Sequence, residues 1–61
     1  MYNLTHNQER LVEQLVDEHN WLLSNNVEDA DDRFDAIYIK VDEIATDIKV
    51  DREEFWNFYF N

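Results

Sequence analysis

The stretch Val27-Glu28-Asp29-Ala30-Asp31-Asp32-Arg33-Phe34-Asp35-Ala36-Ile37-Tyr38-Ile39-Lys40-Val41-Asp42-Glu43-Ile44-Ala45-Thr46-Asp47-Ile48 decides the fold. Within it Val27, Ala30, Phe34, Ile37, Val41, Ile44 and Ile48 follow one another at steps of three, four, three, four, three and four residues. An α-helix turns once every ~3.6 residues, so these steps keep all seven side chains on one side, in an a/d heptad pattern. A helix over 27–49 follows, with Tyr38 and Ala45 widening its apolar face. The run from Ile37 to Val41 also alternates as a strand would. That alternation covers five residues, whereas the helical period holds over more than twenty, so helix takes precedence.

Upstream, Thr5 and Gln8 stand three apart, as a capping box requires, and Glu9 adds negative charge where a helix start favours it. Leu11, Leu15 and Leu22 then form one stripe, with Val12, Val16, His19 and Leu23 beside it. Together they predict an amphipathic helix over 6–24. Ser24-Asn25-Asn26 should end it, because Asn tolerates the left-handed conformation common after a last turn. Downstream, Asp51 and Glu54 repeat the capping-box spacing, and Val50 is placed to pack on Phe55. A short aromatic helix over 52–60 follows. The predicted fold is all-α: a helical hairpin closed by a short aromatic C-terminal helix, one domain spanning 1–61. The complete absence of Gly and Pro agrees, since sheet-rich folds lean on both for tight turns.

At 61 residues without cysteine, the chain has no disulfide with which to reinforce a small core. A homodimer is therefore an open expectation. Nine aromatics and 44% hydrophobic residues separate the chain from disordered sequences. Fifteen acids against five Lys and Arg give a net charge of −10. Phosphate backbones and anionic lipid surfaces are bound by clustered bases, so direct nucleic-acid binding and membrane association are not expected. No apolar run spans a bilayer, and none follows a basic stretch as in a secretory leader, so a cytoplasmic location is expected.

Catalysis finds little to work with. There is no Cys, and the single Ser24 sits at a helix end, where capping is its expected role. Paired carboxylates need a cleft to separate their proton affinities, and two or three short helices leave little room for one. His6 and His19 are thirteen residues apart, not at the four-residue spacing that brings two ligands together on a helix. His19, on the apolar stripe, is expected at a core edge with a hydrogen-bond partner. The acidic run from Glu28 to Asp35 invites comparison with a calcium-binding EF-hand loop. Counting from Asp29 places Phe34 sixth and Lys40 twelfth, and counting from Asp31 places Ala36 and Asp42 there. That loop requires Gly sixth and normally Glu twelfth, so neither frame fits. No metal or cofactor is expected, nor enzymatic activity.

Two features remain. Glu28, Asp31, Asp32, Asp35 and Asp42 fall on one flank of the second helix, in a negative row about 20 Å long. An acidic first turn suits the helix dipole, and Asp29 can pair with Arg33, but this does not absorb all of the acids. Phe55, Trp56, Phe58, Tyr59 and Phe60 concentrate five of the nine aromatics in six positions. Phe55, Phe58 and Tyr59 share one helical face and Trp56 and Phe60 another, more than one hairpin is expected to cover. Both features point to protein–protein interaction, with the acids steering encounter and Trp56 or Phe60 supplying the short-range energy. The expected partner is a basic surface on a nucleic-acid-handling protein, which the acidic helix would occupy as a nucleic-acid mimic. A small phage-like inhibitor or regulator fits that description. The alternative is a structural module that assembles as a homodimer through the heptad stripe and the aromatic tail.

Overall fold

The computed structural model describes residues 2–60, and the helices fall close to where the apolar spacing puts them. They are α1 (His6–Ser24), α2 (Ala30–Asp47) and α3 (Arg52–Phe60), with no strand among the described residues. The first cap is the one the sequence spells out. Thr5 Oγ1 accepts from the Gln8 N–H at 3.1 Å, and Gln8 Oε1 accepts from the Thr5 N–H at 3.0 Å. Gln8 also donates through Nε2 to Asp47 Oδ2 at 2.8 Å, joining the start of α1 to the end of α2.

The other helix ends depart from expectation in instructive ways. Asn25 takes an extended conformation (φ −126°, ψ 141°) rather than a left-handed one. Its side-chain Nδ2 donates to the Trp21 carbonyl at 2.8 Å, so Asn25 rather than Ser24 closes the last turn of α1. α2 begins at Ala30, three residues later than the heptad implies. Val27 and Glu28 therefore lie in the connection, although Val27 still packs against the core. The left-handed residue occurs instead at Lys49 (φ 61°). There the Lys49 N–H donates to Thr46 O at 3.2 Å and the Val50 N–H to Ala45 O at 3.0 Å. This is a Schellman motif, which usually places glycine at the left-handed position. α3 opens on Asp51, whose Oδ1 accepts from the Glu53 N–H at 3.0 Å rather than from Glu54.

The core is built from Val12, Leu15 and Leu22 of α1, Ile37, Val41, Ile44 and Ala45 of α2, and Phe55 of α3. The remaining heptad positions, Val27, Ala30, Phe34 and Ile48, are partly buried against it. Each large side chain fully removed from water stabilises the fold by about 1.5–3 kcal/mol. Ile39, which a strand would have placed beside Ile37 and Val41, is 60% exposed, as helical phase requires. Leu23 is 67% exposed although Leu22 beside it is buried at 3%, because one residue step turns the side chain about 100° away from the core. α3 packs on both α1 and α2, with Phe55 wholly buried, and Tyr2 covers it from the N-terminal side with its ring 5.3 Å from that of Phe55. No helix among the described residues is long and apolar enough to cross a membrane.

Two substitutions test this account. Ile37→Asp puts an unpaired charge where exposure is 1%, and should cost several kcal/mol, enough to unfold a domain of this size in a thermal melt. A melting temperature equal to the parent's would remove Ile37 from the core. Lys49→Gly should raise stability to chemical denaturation by roughly 0.5–1 kcal/mol, because it relieves the left-handed Cβ clash at some cost in unfolded-state entropy. Lys49→Ala serves as the control. It removes the charge but keeps the Cβ, and should give no gain.

Candidate functional site

The carboxylates of α2 divide into two groups. Towards the C-terminal half each has a partner: Asp42 lies 3.8 Å from Arg52 of α3, Glu43 lies 3.6 Å from Lys40, and Asp47 accepts from Gln8. Asp42 thus has a partner and is not a free member of the predicted row. Towards the N-terminal half, Glu28, Asp31, Asp32 and Asp35 are exposed and without an ion-pair partner among the described residues. Arg33, the base nearest to them, faces Asp29 at 3.9 Å and lies 5.8 Å from the ring of the half-exposed Trp21. Glu28 precedes the helix, so the row on α2 itself begins at Asp31.

Trp56 and Phe60 do not form a free face. Trp56 stacks on Tyr38 of α2 (centroids 4.4 Å, planes 2° apart) and on Phe60 (4.1 Å, 5°). His19 of α1 meets the stack edge-on, 5.2 Å from both Trp56 and Phe60, and 5.4 Å from Phe34. A stack of three rings from two helices thus leans on an imidazole of the third. This arrangement buries part of both residues, and it explains how one short helix disposes of two aromatic faces. α3 lies across both partner helices, so each side of it has a surface to meet. The stack gives Trp56 and Phe60, the expected interface anchors, a part in closing the fold, and both keep part of their surface exposed. His19 likewise differs from expectation: its buried Nδ1 has no hydrogen-bond partner among the described residues. The imidazole is held by ring edges rather than by a polar contact.

A cleft of about 370 Å³ opens between α2 and α3 beside the stack, lined by Tyr38, Val41, Asp42, Arg52, Glu53 and Trp56. Half of Tyr38 is exposed there, at 52%. The Arg52–Asp42 pair crosses this cleft from helix to helix. Both members are well solvated, so the pair contributes at most about 1 kcal/mol and is readily exchanged for another contact. Exposed aromatics are Tyr38 here, Phe58 on the other side of α3, also at 52%, and Trp21 of α1 at 50%. Neither Tyr38 nor Phe58 stood out in the sequence, where the first merely widens a stripe and the second belongs to the aromatic run. No group of three or more His, Asp or Glu among the described residues is disposed to hold a metal ion.

No protein-family model, curated protein or solved structure matches the chain.

The stack makes a direct prediction for Trp56. Trp56→Ala should lower the stability of the free protein by about 2–3 kcal/mol in denaturant unfolding, less than a fully buried Trp but far more than a surface one. A loss below about 0.5 kcal/mol would mean that Trp56 does not help to close the fold.

Proposed function

We propose that this protein is a small acidic binder that docks on a basic surface of another protein, with a nucleic-acid-handling protein as the fitting partner and inhibition or regulation as the outcome. One observation carries the reading: Glu28, Asp31, Asp32 and Asp35 stand exposed and unpaired at one end of α2, while the acids at its other end each have a neighbour. Asp31 and Asp35 are one helical turn apart, a like-charge spacing that disfavours the helix. The helix dipole offsets the cost of Asp31 and Asp32, which lie in the first turn, and fades before Asp35. A partner with clustered Lys or Arg would turn this local cost into attraction at long range. Such clusters are what nucleic-acid-binding surfaces offer, and an acidic helix can occupy them in place of phosphates. The homodimer alternative has less to stand on, because Ile37, Val41 and Ile44 of the heptad stripe are 1–5% exposed within the single chain.

The test begins with capture of partners on the immobilised protein and their elution in a salt gradient. For a captured basic protein, changing Asp31, Asp32 and Asp35 together to Asn should slow association by about tenfold or more and flatten its salt dependence. Dissociation should change much less. An unchanged association rate and salt slope would reduce the acidic end of α2 to a solvated face.

A further inference from the structure

On the side of α3 away from Tyr38 lies a second and larger cleft, about 450 Å³, between the N-terminal segment, α1 and α3. Its walls are apolar, with Val12 and Val16 from α1, Phe58 and Tyr59 from α3, and Tyr2 over the end. Phe58 is held in place by an edge contact to Tyr2 (5.2 Å, planes 81° apart), yet remains 52% exposed. A half-exposed Phe beside an open apolar cleft leaves short-range binding energy unused in the free protein. With Trp56 and Phe60 committed to the fold, it is the aromatic wall best placed to meet a partner.

The rim of this cleft is acidic. Glu9, Glu13 and Asp17 line it from α1 at four-residue intervals, forming one ridge along the helix. Like charges at that spacing repel one another, and only Glu9 lies in the first turn, where the dipole compensates. Glu13 and Asp17 have no ion-pair partner among the described residues, and Arg10, the only Lys or Arg of α1, makes no ion pair there either. The negative field reaches the aromatic wall. The Tyr59 hydroxyl is pushed above its usual range, first by burial, then by Glu9 and by Tyr2. An apolar floor beside one row of unpaired carboxylates fits a segment with a bulky apolar side chain and Lys or Arg on its flank. A second copy of this chain would bring its own net charge of −10 to the same rim and is disfavoured.

We propose that the cleft between Tyr2, α1 and α3 is the anchor site for a basic amphipathic segment of the partner protein, which inserts an apolar side chain against Val16 and Phe58 while its bases meet Glu13 and Asp17. The proposal rests on the reading of the protein as an acidic binder and gives that binder its source of short-range affinity. The segment lies on the α1 side of α3, and the unpaired acids of α2 add long-range attraction.

Nuclear magnetic resonance titration of the ¹⁵N-labelled full chain can test it with three synthetic probes: an amphipathic Lys/Leu peptide, a Lys/Ser peptide of equal charge and an amphipathic Glu/Leu peptide. The Lys/Leu peptide should bind saturably and shift Val12, Val16, Phe58 and Tyr59. The Lys/Ser peptide should bind at least about tenfold more weakly, for want of an apolar anchor, and the Glu/Leu peptide not at all. Two variants separate the contributions. Changing Glu13 and Asp17 to Lys should weaken Lys/Leu binding by about tenfold or more. Phe58→Ser, which leaves the charge unchanged, should bring its affinity down to that of the Lys/Ser peptide. Both changes are at exposed positions, and a thermal melt checks that the fold is kept. Shifts confined to Asp31, Asp32, Asp35 and Tyr38 would overturn the anchor site while leaving the acidic binder standing, as would equal binding of the Lys/Leu and Lys/Ser peptides. Failure of every cationic peptide to bind would count against both.

Discussion

Phe55 is the contact on which the remaining structure depends. A hairpin of two short helices can shield only part of the stripe on α2, because α1 covers it from one side. Phe55 enters from α3, reaches zero exposure, and lies in one cluster with Val12 and Leu15 of α1 and with Ile37, Val41 and Ile44 of α2. Its burial requires α3 to fold back. That in turn requires a reversal after Ile48, which the chain makes through Lys49 in the left-handed conformation without a glycine. Val50, partly buried against the same core, and Asp51, which caps Glu53, then start α3 at the angle that admits Phe55. Everything further along α3 inherits its position from that entry: Trp56 against Tyr38, Phe60 against His19, and Tyr59 and Phe58 against Tyr2.

Charge is arranged on a different principle. In the second half of α2 the acids have partners, as in Arg52 with Asp42, Lys40 with Glu43 and Gln8 with Asp47. Asp31, Asp32 and Asp35 in the first half of α2, and Glu13 and Asp17 on α1, have no ion-pair partner among the described residues. The pairs that do form are exposed and individually weak. Two of these contacts link helices, Gln8–Asp47 between α1 and α2 and Arg52–Asp42 between α2 and α3, so position matters more than number. A protein selected only for solubility would gain as much from scattered acids as from rows at one-turn spacing, and would avoid the repulsion within each row.

The helices were legible in the sequence because they rest on periodicity, and the α2 stripe and the Thr5–Gln8 box are short-range patterns that tertiary packing did not overrule. What the sequence left open was set by geometry between helices. Trp56 and Phe60 look like surplus when α3 is taken as a helix beside a flat hairpin. They become core-closing residues once α3 lies across both helices and His19 and Tyr38 come within reach. Leu23 reads as part of a stripe, but the buried face at the end of α1 is centred on Leu22 and Leu23 turns to solvent. The left-handed residue was expected among Asn25 and Asn26 on local propensity, yet it falls on Lys49, in the reversal that brings Phe55 home. Of the acidic row, Asp31, Asp32 and Asp35 stand free as anticipated. Asp42 is drawn into a pair by Arg52, which is ten residues away in sequence and 3.8 Å away in space.

These two layers, an apolar interior locked by α3 and an acidic exterior left partly unpaired, bear on each other through α3 itself. The same nine-residue helix that supplies Phe55 to the core forms one wall of both clefts, through Arg52, Glu53 and Trp56 on one side and Phe58 and Tyr59 on the other. A partner that fills either cleft therefore also presses on the element whose docking completes the fold. Binding to the closed form alone would stabilise it by mass action, and most strongly at α3, the shortest helix and the one with the fewest internal hydrogen bonds to hold it. A basic partner of the proposed kind would thus couple its own binding to folding through one helix, and its bases would offset the repulsion among the carboxylates of the free protein. In a chain this small, with no disulfide and no glycine to ease its turns, a partner seated against α3 would contribute to stability as well as to function.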